Sequence, residues 1–293
     1  MAAKFQKRSV SLPARSHPAT IKIHEELTKL GELEQSSAAT SSSSSAICSS
    51  LSTIRDVYDT LDELLAMAST QEALSRRRCV AEEERFLDGS VKLMDTCEIA
   101  KDVISRLREN VAALQSAIRR RRKGDSVLES SVSDYIQLRR KTRKDARKLV
   151  AQLKQQMGNH NYKLPAADQG DDDEQFSAVI RVMREVNAAS SCVLQALLSF
   201  VATPVFRREK KQSKWGIASK LVMTRKVAAV GCEVNEIQAA DVALLVGEGE
   251  KKQFGTNELE SVERCFKEIE DGLEGVFRRL IKSRASLLNI LSQ

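Results

Sequence analysis

Two heptad repeats of apolar residues constrain the fold of this chain more than any other feature. Each has apolar residues at two positions that recur every seven residues, which is the spacing of long amphipathic helices. The first repeat consists of Phe86, Leu93, Ala100, Leu107 and Leu114, interleaved with Cys97, Ile104, Val111 and Ile118. The second consists of Leu259, Phe266, Leu273, Leu280 and Leu287, with Val262, Ile269, Val276 and Ile290, and is interrupted at Ser283. Two such faces near opposite ends of the chain predict a helical bundle.

Further helical patterns lie between and before the two repeats. An apolar helical pattern over 128–157 follows the first repeat after Gly124-Asp125, and this short connection predicts an antiparallel hairpin of two long helices. Another amphipathic pattern begins near Leu51, and a third runs from Phe176 to a stop at Pro204. The chain therefore carries at least four amphipathic helices.

The fold class follows from these patterns. Aromatic residues make up 4% of the chain and prolines number four, which suits long aliphatic helices better than a turn-rich β protein. We predict an all-α fold, an elongated helical bundle with long amphipathic, heptad-patterned helices. A coiled-coil homodimer is the alternative. The first face is widened by Leu87, Met94 and Val103, and this width favours the intramolecular bundle.

Composition divides the chain into a tail and one domain. Residues 1–50 contain two prolines and most of the serine-rich block "SSAATSSSSSAICSSLS", which buries too little to offset the entropy of ordering. We predict a flexible, Ser-rich N-terminal tail over 1–50, with a weak helix at 21–33. Residues 51–293 are predicted to form a single helical-bundle domain. Its loops are expected near 158–173, 204–214 and 247–256.

The chain lacks the sequence motifs of common enzymes. It has no G-x-S-x-G, phosphate-binding loop, G-x-G-x-x-G or H-E-x-x-H motif. Its six cysteines include no C-x-x-C pair, and its three histidines have no partner at metal-binding spacing. The acidic run from Asp171 to Glu174 precedes an apolar segment, so it suits a helix N-terminus better than a metal site. We predict a protein that is not an enzyme, with no catalytic residue, cofactor or metal.

A basic segment is the most conspicuous charged feature. From Arg119 to Lys148 the chain has twelve Lys and Arg residues against four acids, and the segment 233–274 has the reverse, twelve acids against four bases. Helical geometry places six of these cations opposite the apolar residues, on the outward face: Arg140, Lys141, Arg143, Lys144, Arg147 and Lys148. The cations from Arg119 to Lys123 are expected at a helix C-terminus, where the helix dipole favours them. The predicted basic surface comprises Arg119, Arg120, Arg121, Arg122, Lys123, Arg140, Arg143, Lys144, Arg147 and Lys148.

Two interpretations of this basic surface are open. A solvated face or a face for an acidic partner is favoured, because no aromatic residues for stacking on RNA bases are interleaved with the cations. The acidic segment 233–274 is a candidate intramolecular partner. The alternative is a surface that binds nucleic acid or an anionic membrane.

The N-terminal stretch "KRSVSLPARSHP" contains no reaction chemistry but has the form of a docking motif. Arg8, Ser9, Ser11 and Pro13 follow the pattern R-S-x-S-x-P, which resembles the phosphopeptide that 14-3-3 proteins bind when the second serine is phosphorylated. The phosphate would add about −2 of charge and three strong hydrogen-bond acceptors. The alternatives are a transit peptide, since the first acid is Glu25, and a plain flexible tail.

Several stretches together resemble one plant family. They include "SLPARSHP", "TQEALS", "FLDGSVKLMDTCEIAKD", "LQSAIRRRR", "SKW" before "SKLVMTRKVA", and the C-terminal "ELESVERCFKEIEDGLEGVFRRLIKSRASLLNILSQ". The chain resembles the plant-specific domain-of-unknown-function family DUF241, named after the plant BYPASS protein, from about residue 11 to residue 293. The resemblance implies a role in root and shoot development, with no catalytic residues to carry over. We expect the protein to act by binding other proteins. We expect a cytoplasmic protein that also enters the nucleus, with the chloroplast as the alternative.

Overall fold

A computed structural model describes residues 18–39, 43–76, 80–120, 126–158, 171–204, 235–246 and 254–292. Over these ranges the chain forms eight helices and no strand, which confirms the all-α fold. The helices are α1 (Pro18–Ala39), α2 (Ser44–Leu65), α3 (Ala68–Arg76), α4 (Val80–Arg119), α5 (Ser126–Gly158), α6 (Asp171–Val201), α7 (Glu236–Val246) and α8 (Phe254–Leu291). None of these described helices is both long enough and apolar enough to cross a bilayer.

The two heptad repeats form the longest helices, α4 and α8, which pack antiparallel against each other. Nearly all of their repeat residues are buried; Ile118 is half-buried. Ion pairs along the contact fix the direction, because residues later in α4 pair with residues earlier in α8. Going along α4, these pairs are Lys101 with Glu274, Arg108 with Glu270 at 3.1 Å, and Arg119 with Glu260 at 3.4 Å.

The helix α2 runs parallel to α8 on another side. Asp59 lies 2.8 Å from Arg279, and Asp62 lies 3.2 Å from Lys282, so the sequence separation stays nearly constant along the contact. The hydroxyl of Ser283, which interrupts the second heptad repeat, donates a hydrogen bond to the carboxylate of Asp62 inside this contact. The polar residue in the apolar repeat is therefore satisfied by a buried acceptor.

Close packing also marks this contact. A Cβ atom added at Gly272 would lie 3.0 Å from the Leu51 side chain. A side chain at this position would require Leu51 to shift, so the glycine favours the close approach of α2 and α8.

The remaining helices surround this framework. The helix α6 packs against α1, α2, α3, α4 and α5, and its Val186, Val193 and Leu197 are fully buried. The helix α5 packs mainly against α4 and α6, so it lies at the edge of the bundle, and α7 packs against α8. One hydrophobic core extends through all these elements, with α2, α4, α6 and α8 as its main contributors.

The described part of the segment predicted as a tail is more ordered than the sequence suggested. The weak helix predicted at 21–33 is the longer α1, and its Ile23 and Leu30 are buried in the core. The helix α2 begins at Ser44, inside the serine-rich block, where the Ser43 side chain accepts a hydrogen bond from the Ala46 N–H. Buried Ile47 in the first turn of α2 explains the difference, since tertiary packing outweighs a serine-rich composition. A domain boundary at residue 50 stays a prediction.

The other predicted helix boundaries agree in part with the structure. The helix α6 begins at Asp171, so the acidic run does lie at a helix N-terminus. The helix α4 ends at Arg119, before the predicted stop at Gly124, and α8 begins at Phe254, inside the loop predicted at 247–256. Most of the predicted loops 158–173 and 204–214 lies outside the described residues.

Candidate interaction surface on helix α5

The outward side of α5 carries a row of exposed cations, here called the α5 basic face. The opposite side of the helix is buried, with Tyr135 and Ala146 in the core. Because residues three, four and seven apart share one side of a helix, the cations form a continuous stripe. The α5 basic face consists of Arg140, Lys141, Lys144, Arg147 and Lys148, all exposed.

The cations of the α5 basic face are not engaged by other described residues. None of its five side chains makes an ion pair or hydrogen bond there. Arg143, which borders the face, is half-buried, and its Nε is shielded from solvent without a hydrogen-bond partner. A cationic surface that makes no ion pair of its own can attract an anionic partner.

The acidic segment 233–274 pairs with the basic segment 119–148 through Arg119 with Glu260 and Arg139 with Asp241, but none of its described residues pairs with the five exposed cations of the α5 basic face. Its Glu260, Glu270 and Glu274 pair with cations of α4 instead. The physical reason is topological. The helix α8 packs against α4 and α2, and α5 lies on a different side of α4.

Other predicted site residues have different environments. Arg119 pairs with Glu260, and the Arg120 Nε donates a hydrogen bond to the Ser116 carbonyl at 3.2 Å. These two belong to the end of α4 and not to the α5 basic face. The remaining predicted residues, Arg121, Arg122, Lys123, Arg8, Ser9, Ser11 and Pro13, lie outside the described residues.

A buried charge cluster next to this face was not predicted. The Arg139 side chain has no solvent exposure, and its guanidinium forms an ion pair with Asp241 of α7 at 3.2 Å. It also donates to the Val201 carbonyl at 2.9 Å and to the Thr203 hydroxyl at 3.4 Å. The Tyr135 hydroxyl donates to the same carboxylate at 2.8 Å. This cluster joins α5, α7 and the end of α6.

The cluster is built to hold helices together. Burial and the Asp241 carboxylate raise the pKa of Tyr135, so its hydroxyl stays protonated and donates. Every nitrogen of Arg139 has an acceptor, as a buried guanidinium requires. A helical wheel could have predicted the burial of Arg139, because this residue lies about 60° from the buried Thr142, on the apolar side of α5.

The described cysteines do not resemble catalytic thiols. Cys48, Cys97, Cys192 and Cys265 form no disulfide. Burial raises the pKa of Cys97 and of Cys265 to about 12, and burial together with Glu268 raises the pKa of Cys48 to about 11. These three thiols are therefore protonated and weakly nucleophilic at neutral pH. Within the part of the chain that the structure describes, no group of three His, Cys, Asp or Glu side chains is arranged to hold a metal ion.

Comparison with known proteins identifies the family. No curated protein and no solved structure matches the chain. A family model does match: the one described as Protein BPS1 covers residues 50–290, from within α2 almost to the end of α8. This is the family named after the plant BYPASS protein, to which the sequence motifs pointed. The chain therefore belongs to the BPS1 family.

Proposed function

We propose that this protein is a non-enzymatic interaction protein of plant root and shoot development, and that the α5 basic face binds an acidic surface on a protein partner. The developmental role rests on membership of the BPS1 family. The binding role rests on one observation. Five exposed cations lie on one side of α5 and make no ion pair with any described residue.

The contrast with α4 supports this view of the α5 basic face. Lys101, Arg108 and Arg119 of α4 lie beside α8 and pair with its carboxylates, so their charges contribute to the fold. The cations of the α5 basic face make no such pair with any described residue. Exposed charges add little to stability, so their clustering on one side favours a role outside the fold.

The alternative function is binding of nucleic acid or an anionic membrane through the same face. Such binding uses cations in the same way, and nonspecific binding to nucleic acid falls steeply with salt. Proteins that bind single strands add exposed aromatic platforms for the bases. The aromatic residue of α5, Tyr135, is buried and bonded to Asp241, which favours the protein partner.

A neutralised variant tests this proposal. Replacing Arg140, Lys144, Arg147 and Lys148 by Gln removes four charges from the α5 basic face. A matched control replaces four exposed cations elsewhere, Lys92, Arg181, Arg264 and Lys267, by Gln. Full-length tagged wild type and both variants are purified from nuclease-treated plant extract, and co-purifying proteins are quantified. Circular dichroism melting checks that both variants fold as the wild type does.

We expect proteins that carry an acidic surface to accompany the wild type and the control but to be lost from the α5 variant. An opposite pattern would overturn the proposal. In that case the two variants would retain the same proteins, and the α5 variant alone would lose a nanomolar, sequence-selective affinity for RNA or DNA or its binding to phosphatidylserine vesicles.

The N-terminal stretch gives a second proposed contact. We propose that phosphorylated Ser11, with Arg8, Ser9 and Pro13, docks on a 14-3-3 protein. The support is the sequence pattern itself, with basic residues before the serine and a proline after it. We also propose a cytoplasmic location with entry into the nucleus. A fluorescent fusion of the protein that localises to chloroplasts would contradict this location and support the chloroplast alternative.

A further inference from the structure

The helix α4 carries a stripe of exposed acidic residues, here called the α4 acidic face. On a helix with about 100° per residue, its six carboxylates all fall within about 40° of Glu84, opposite the buried heptad positions. Asp102 pairs with Arg106 at 3.1 Å, and the other five have no ion pair with any described residue. The α4 acidic face consists of Glu84, Asp88, Asp95, Glu98, Asp102 and Glu109, all exposed.

The acidic and basic faces lie on neighbouring, antiparallel helices. The helices α4 and α5 pack against each other. A parallel arrangement would require the connection to span α5, which is about 50 Å long. The six residues 120–125 between Arg119 and Ser126 reach at most about 25 Å. The chain therefore returns along α4, and the two faces lie side by side.

We propose that the partner of the α5 basic face is a second copy of this chain, whose α4 acidic face it binds in a two-fold symmetric dimer. This inference rests on the proposed function, because it identifies the acidic surface that the α5 basic face binds. A two-fold axis parallel to the helices, between α4 and α5, sets α4 of each copy opposite α5 of the other. The dimer interface then contains two acid–base contacts related by the two-fold axis. Two-fold symmetry is the commonest form of homodimer.

The charges match in position along the helices as well as in sign. A rotation about an axis parallel to the helices keeps each residue at its own height. Residues equally far from the connection lie at about the same height, since both helices rise about 1.5 Å per residue. Glu98 is then level with Arg147, and Asp102 is level with Arg143 and next to Lys144. Acidic residues of one copy therefore face basic residues of the other.

An exposed apolar side chain lies next to the same surface. Ile99 has 44% of its surface exposed and borders the α4 acidic face, about 60° around the helix from Glu84. Large apolar residues at the centre of charged surfaces are typical of protein interfaces. Ile99 would bury its side chain against α5 of the second copy, near Arg147 and Ala151.

Sedimentation velocity of the full-length chain tests the proposal. The wild type should pass from 32.5 kDa towards about twice that mass as its concentration rises. The association should weaken between about 0.1 M and about 1 M salt, because the Debye length falls from about 10 Å to about 3 Å. A wild type that sediments as a monomer at every concentration and salt would overturn the dimer.

Charge reversal locates the interface. One variant combines Glu98→Lys with Asp102→Lys, and the other combines Lys144→Glu with Arg147→Glu. Each change occurs twice in a symmetric dimer, so each variant should associate with itself at least about tenfold more weakly than the wild type. A matched control, Glu63→Lys with Asp271→Lys, reverses two exposed acids on α2 and α8 and should associate as the wild type does.

Mixing the two reversed variants gives the sharpest test. One variant then offers two basic stripes and the other two acidic stripes, so both contacts are restored in a mixed dimer. Recovery of the dimer on mixing supports the proposal, and continued monomers overturn it.

The failure of this proposal differs from the failure of the proposed function. If the chain is monomeric but loses acidic plant proteins when the α5 basic face is neutralised, only the dimer is wrong. If neutralising the α5 basic face changes no protein that binds the chain, the proposed function is wrong too.

Discussion

Removing the carboxylate of Asp241 should destabilise the protein far more than removing any exposed charge. The change Asp241→Ala leaves the Arg139 guanidinium buried, with only the Val201 carbonyl and the Thr203 hydroxyl as acceptors. Both side chains of the pair are at most 1% exposed, so water cannot replace the lost partner. Breaking a buried pair in this way costs about 3–5 kcal/mol. That is a large share of the stability of a typical domain.

Denaturant unfolding followed by circular dichroism measures this cost. We expect a lower midpoint with an unchanged slope, since the change removes stability without altering the surface exposed on unfolding. Detachment of α7 alone would leave the midpoint unaltered, because α7 is short. Hydrogen exchange of the α7 amides detects such detachment. In Asp241→Ala, exchange over residues 236–246 should then accelerate about a hundredfold or more.

A variant without either charge is the control. Combining Arg139→Met, Asp241→Leu and Tyr135→Phe removes the charges and the hydroxyl that would lose its acceptor. We expect this variant to be more stable than Asp241→Ala by about 2 kcal/mol or more, because an apolar replacement leaves no unpaired charge. The reasoning is refuted if Asp241→Ala loses less than about 1 kcal/mol and α7 exchanges as in the wild type. It is refuted equally if the triple variant is no more stable than the single one.

Three further predictions follow from burial, close packing and the N-terminal motif. Leu107→Asp or Leu273→Asp should each lower the free energy of unfolding by several kcal/mol, because both sites are at most 1% exposed; wild-type melting in either variant would contradict the core assignment. Gly272→Ala should destabilise, since its Cβ would lie 3.0 Å from a neighbouring side chain, whereas Gly31→Ala has open space and should gain up to about 1 kcal/mol; equal effects in chemical denaturation would refute the close contact. Ser11→Ala should abolish capture on a 14-3-3 column without changing the melting temperature, and a Ser11 never phosphorylated in plant extracts would end the idea.

Periodicity explains which parts of the fold could be predicted. The spacing of residues such as Leu107 and Leu273 follows from helical geometry alone, so α4 and α8 were predictable from the sequence. The start of α2 was not, because a run of serines has the composition of a flexible segment. Its order comes from burial of Ile47 against other helices, and composition does not report that contact.

The candidate site shows the same division between local and distant causes. The outward position of cations such as Lys144 and Arg147 on α5 follows from the helical wheel, since each lies away from the apolar side. The pairing of Arg139 with Asp241 does not, because the two residues are 102 apart in sequence and meet only through the packing of α7. That no described residue of the acidic segment pairs with the five exposed cations of the α5 basic face is likewise a matter of topology, which net charge alone cannot predict.

The parallel contact between α2 and α8 has a consequence for synthesis of the chain. Ser283 and Asp62 meet although they are 221 residues apart, so the side of α2 that contacts α8 has no cover until the C-terminal helix leaves the ribosome. At about 5–20 residues per second, that delay is roughly 10–45 s. During this time Leu51 and its apolar neighbours are available to chaperones and to other nascent chains. Completion of α8 is therefore the step that covers this side of α2, and residues made later protect residues made earlier.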